Sequence, residues 1–144
     1  MKLVINLTRE DFFRKELATE LRVVENLVRN EPSVEKRIYY FSAAYGITSR
    51  TFRYAFSKDV LLADLVLTQV HGLLMDGFNQ LRAGSELIRL DSEHFEKICD
   101  ALKELALKLE GRQGIQEPLQ DMLAAAFSVG GPGLYLREKG SLVI

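Results

Sequence analysis

Apolar residues recur every three or four positions through most of this chain, and that period admits helices and little else. Phe13, Leu17, Leu21, Val24 and Leu27 or Val28 set the pattern first. They predict an amphipathic helix over residues 9–29, with Thr8 as its cap and Asp11 as capping-box partner. Asn30-Glu31-Pro32-Ser33 stops it, and Ser33 can cap a second helix whose stripe is Val34, Ile38, Phe41 and Tyr45. Gly46 is expected to end that helix, and Thr48 or Ser49 to cap a short third one carrying Phe52 and Phe56. A long fourth helix follows over residues 60–81. Its apolar positions cover nearly half the cylinder, so it is expected to be buried on two sides, as a central or dimer-forming helix. Asp91 or Ser92 caps a fifth helix through Phe95, Ile98, Leu102, Leu105 and Leu109. Leu119, Met122, Leu123, Ala126 and Phe127 give a sixth, with Pro118 in its first turn.

The two ends read differently. Leu3 to Leu7 is short, apolar and β-branched, which favours a strand. The tail over residues 133–144 reads as strand, turn, strand, and could pair with residues 3–7. The expected architecture is therefore mainly α. It is a single domain over residues 1–144, a bundle of about six helices with a small terminal β element.

Bulk properties narrow the function. The 144 residues carry 47% hydrophobic and 27% charged side chains at a net charge of −1, which excludes both wholesale disorder and a basic coat over the whole surface. One cysteine, Cys99, excludes an intrachain disulfide and suits a reducing, cytoplasmic setting. The N-terminal apolar run is too short for a signal peptide. The best membrane-span candidate, residues 60–75, is interrupted by Asp64, Gln69 and His71, so no membrane span is expected. Charge is unevenly placed: residues 1–58 hold 11 Lys/Arg against 7 Asp/Glu, and residues 33–58 set Lys36, Arg37, Arg50, Arg53 and Lys58 against Glu35 alone. A basic segment joined to an acidic one suggests an anionic partner for the first.

Residues 41–56 sharpen that suggestion, because they fit a helix-turn-helix. Gly46 supplies the permissive turn, Ser42 the small residue at the close approach, and Ile47 the apolar plug. Phe52 and Phe56 anchor the second helix, leaving Ser49, Arg50, Arg53 and Tyr54 facing outward. Thr48 and Ser49 at a helix N-terminus suit a phosphate, and the two arginines suit guanine edges or phosphates. Gly46-Ile47-Thr48, Thr51-Phe52 and Phe56-Ser57-Lys58-Asp59-Val60-Leu61-Leu62 together resemble the DNA-reading signature of the tetracycline-repressor family of transcription regulators. The resemblance covers residues 33–62; Arg53 stands where the family has a tyrosine, and Tyr54 falls one place late. It implies a homodimer on double-stranded DNA. Lys36, Arg37, Thr48, Ser49, Arg50, Arg53, Tyr54 and Lys58 would form the DNA face, residues 9–58 the reading unit, and residues 59–128 the dimerising core, with the helix over 60–81 at the dimer interface. The alternative is a helical interaction or scaffold protein with no nucleic-acid role.

The remaining chemistry-bearing residues point elsewhere than catalysis. His71 lies in an apolar helix and reads as a hydrogen-bonded, partly buried histidine. His94 beside Glu93 and Glu96 is one histidine with carboxylates of undetermined facing, which makes a poor metal site. Cys99 has no nearby basic partner. Residues 130–133 are glycine-rich but lack the Lys-Ser/Thr of a phosphate loop. No catalytic constellation, cofactor or metal is expected.

Overall fold

The computed structural model describes residues 2–54, 57–86, 88 and 90–129. Among them are five helices and no strand: α1 (Lys2–Asn30), α2 (Val34–Tyr54), α3 (Lys58–Arg82), α4 (Ser92–Glu110) and α5 (Gln116–Phe127). The helical period of the sequence is thus realised, with two corrections to its segmentation.

The first concerns Leu3–Leu7, which is the opening of α1 and not a strand. β-branched residues cost only a few tenths of a kcal/mol in a helix, whereas a lone strand needs a partner ladder. Continuing an established helix is the cheaper outcome. The hairpin expected over residues 133–144 lies outside the described residues.

The second correction concerns Gly46, where no turn occurs. The expected second and third helices are one 21-residue helix, which is why five helices stand in place of six. Its buried positions Ile38, Phe41, Ala44, Thr48 and Thr51 keep helical spacing straight across the glycine. A mid-helix glycine costs about 1 kcal/mol, less than burial of a single large side chain such as Phe41 recovers. The buried hydroxyls are satisfied: Thr51 Oγ1 donates to Ile47 O of the same helix at 2.8 Å, and Thr48 Oγ1 lies 2.7 Å from Asp64 Oδ1 of α3 and 2.9 Å from Tyr45 O.

The five helices close a ring in the order α1, α2, α3, α5, α4 and back to α1. Neighbours in sequence run antiparallel. Glu20 meets Arg50, Phe13 stacks on Tyr54, and on the other side Tyr45 meets His71. The core fills the ring's centre with Leu17, Leu21, Phe41, Leu67, Leu74, Phe95, Ile98, Leu102 and Leu105, all fully buried. Ile88 and Leu90 in the α3–α4 connection are also buried and help close one end.

Local caps set the boundaries. Asp91 caps α4, accepting from the backbone of Glu93 at 3.1 Å and His94 at 3.3 Å. His94 Nδ1 reaches back to the Asp91 backbone, completing a capping box. Ser33 Oγ accepts from Lys36 N at the start of α2. Arg14 is the main cross-brace. Its buried guanidinium donates to Leu109 O at 3.2 Å, at the C-terminus of α4, and to Asp59 Oδ2 at 3.1 Å, in the first turn of α3. A cation against a helix C-terminus is also favoured by the helix dipole.

Candidate interaction surfaces

The residues expected to read DNA are dispersed by the unbroken α2. Lys36 is exposed in its first turn and Arg53 is exposed in its last. They are separated by about 25 Å along the axis. Arg37 folds back: its Nε donates to Glu31 O and its guanidinium sits 5.2 Å from the Phe95 ring centroid. Thr48 is wholly buried and bonded to Asp64 Oδ1 of α3 at 2.7 Å, so it cannot meet a phosphate. Ser49 is half-buried in mid-helix. The helix N-terminus that Thr48 and Ser49 were to supply does not exist, because backbone N–H groups inside a helix are already bonded to the preceding turn.

Arg50 is exposed but engaged, its Nη2 donating to both carboxylate oxygens of Glu20 at 2.9 and 3.0 Å. Tyr54 is exposed and stacks on Phe13 with ring centroids 6.2 Å apart. Lys58 opens α3 and is exposed. Arg53 and Lys58 make no ion pair among the described residues. The expected cluster is therefore three solvated cations, with Lys36 at the far end of α2 from Arg53, and a set of internally bonded groups, and no helix end is presented at Thr48 and Ser49.

Burial lowers the pKa of His71, which packs against Tyr45 with ring centroids 5.1 Å apart. Burial pushes the Cys99 thiol up to about 12 despite the Arg29 charge nearby, so it is a protonated core residue. Around it, Arg29 bridges Glu25 at 2.6 Å and Asp100 at 2.9 Å, tying α1 to α4. Among the described residues no three metal-binding side chains cluster.

A different surface stands out. The sequence predicted that α3 would be buried on two sides, and it packs on α2 and α5. Yet Leu61 and Leu62 are each 38% exposed, Leu65 59% and Met75 38%. Beside them, Leu62 and Val66 of α3 and Leu119 and Leu123 of α5, together with Gln116 and Gln120, line an open groove of about 380 Å³. Among the described residues α3 is the one helix long and apolar enough, by length and composition, to cross a membrane, and only 33% of its most apolar stretch is buried. Of the polar residues that interrupt this stretch, two face α2, where Asp64 bonds Thr48 and His71 packs on Tyr45.

A second groove, of about 410 Å³, lies between α1 and α2, lined by Val23, Asn26, Leu27, Asn30, Glu31 and Tyr40. A third, between α4 and α5, is lined mainly by charged and small residues, among them Lys97, Asp100, Glu104 and Asp121. The exposure of α3 is what sequence reasoning missed. Periodicity gives the width of an apolar stripe but not how much of it the neighbouring helices cover. Compared with protein-family models, curated proteins and solved structures, the chain matches none.

Proposed function

We propose that the protein is a helical association module that docks another protein against the outer face of α3. The observation that carries this reading is the exposure of Leu61, Leu62, Leu65 and Met75 on one helix, beside a mainly apolar groove shared with α5. Single exposed leucines are ordinary, but several large apolar side chains on one helix beside a groove are characteristic of an interaction site. The DNA-binding reading has less support. It needs Arg50 released from Glu20 and a presented helix end at Thr48, which is buried.

The test places a photo-crosslinking side chain at Leu65, or at Arg53 as the comparison position, in the protein expressed in cells. Adducts with protein from position 65, absent from position 53, are the expected result. Nucleic-acid adducts from position 53 with nothing from position 65 would overturn the reading. Binding to mixed-sequence duplex DNA is the companion measurement. Micromolar affinity that falls steeply with salt and disappears in Arg50→Ala/Arg53→Ala would restore the regulator hypothesis.

A further inference from the structure

We propose that the occupant of the α3 face is a second copy of this chain, with the two α3 helices antiparallel about a two-fold axis that crosses the exposed seam at the level of residue 70. This rests on the reading of α3 as an association face and adds the partner and its orientation.

The first ground is register. Leu61, Leu65, Thr68, Gly72, Met75 and Asn79 are all exposed, and they alternate at four- and three-residue spacing. That is the seam of two helices packed along their length. On the opposite side of the cylinder Ala63, Val70 and Gly77 are buried in the chain's own core. The seam therefore points directly away from the bundle.

The second ground is Gly72. A Cβ placed there meets nothing within 4 Å. A glycine inside a helix costs about 1 kcal/mol relative to alanine, and the folded chain gives no reason for it here. Gly77 differs, because a Cβ at that position would collide with Val129 at 2.7 Å. An exposed gap at the middle of an apolar seam is accounted for by the close approach of another backbone. Gly46 is open too, but its face carries Arg50 and Arg53 and is solvated.

The third ground is that the seam complements itself in one direction. Set antiparallel, Leu65 lies on Met75 of the second copy, and Thr68 lies on its Gly72. Small side chains meet at the centre and large ones pack on either side. Gln69 falls beside its own counterpart, where two amides can donate to and accept from each other. Asp76 faces Leu62 of the second copy, so the acidic groups avoid each other. A parallel arrangement instead sets Gly72 on Gly72 and leaves a void. Lys58 and Arg82 lie at the two ends of α3, and the antiparallel pair brings them near each other in water. Their repulsion is screened by salt.

A seam of this length, widened by the α5 edge, covers roughly 600 Å² on each copy, at the lower edge of specific interfaces. The pair is accordingly expected to be concentration-dependent, and salt should strengthen it.

The deciding experiment uses two full-length variants, Leu65→Cys and Met75→Cys, oxidised separately and as a mixture. Cys99 is buried and protonated, so it stays a bystander. The expected result is a disulfide-linked dimer in the mixture and about tenfold less from either variant alone. Efficient cross-linking of Leu65→Cys by itself would overturn the antiparallel arrangement. No cross-link in any sample would overturn the second copy as occupant. Photo-adducts from position 65 to other proteins would then leave the association reading standing.

Sedimentation of the wild type from about 50 to about 500 mM salt should show self-association rising with salt, opposite to nucleic-acid binding. Leu65→Glu should be monomeric. Should that variant unfold, Gly72→Leu serves instead, since its side chain enters open space in the folded chain and wedges only the pair. About tenfold weaker association is expected, and unchanged association would overturn the proposal.

Discussion

At Gly77, α3 comes so close to the chain after α5 that an added Cβ would lie 2.7 Å from Val129 Cγ1. Valine has no flexible end to swing aside, so Gly77→Ala should destabilise by about 1–3 kcal/mol in urea unfolding. Gly46→Ala should do the reverse. Gly46 is exposed in mid-helix with nothing near its missing side chain, so alanine should add about 0.5–1 kcal/mol. A destabilised Gly46→Ala would mean that the backbone turns at this position. His71 gives a pH dependence of defined sign. Burial holds its imidazole below the ordinary 6.5, so the unfolded chain accepts a proton that the folded chain resists. The contribution is fully present above 6.5 and is lost as pH falls below it. The urea midpoint should therefore decline as pH falls below about 6.5, and decline less in His71→Gln.

Among the elements, α4 depends on a polar start that the sequence announces. Asp91→Ala removes the acceptor for two backbone N–H groups and should cost about 1 kcal/mol by thermal melting. That cap was legible because it is local, as were the extents of α3, α4 and α5, whose apolar stripes are long and regular. The continuity of α2 was not. Ser42, Gly46 and Ile47 satisfy a turn pattern locally, while the competing signal was carried by Thr48 and Thr51. Both are core positions that a hydrophobic pattern discounts, because their hydroxyls are satisfied only once the helix exists and, for Thr48, once α3 brings Asp64 against it. The basic face was half-legible. Arg50 and Arg53 are exposed as expected, but the pairing of Arg50 with Glu20 spans thirty residues and depends on how α1 lies against α2.

The five described helices form a closed ring, and none of them is an appendage. Helix α5 packs on both α3 and α4, and α1 packs most extensively on α4. A chain ending at Glu110 would expose the faces of α3 and α4 that α5 covers. It should lose its sharp thermal transition, which circular dichroism would show as a broad, non-cooperative melt.

The same closure bears on synthesis. Arg14 in α1 is satisfied by the carbonyl of Leu109, ninety-five residues later. While the ribosome is still adding the third helix, Leu17 and Leu21 have no finished partner surface, and the nascent chain carries an uncovered greasy flank. Folding of the first half must wait for most of α4 to leave the exit tunnel. The interval before that release is when the chain most needs a chaperone, and codons that slow translation within the third helix would lengthen it.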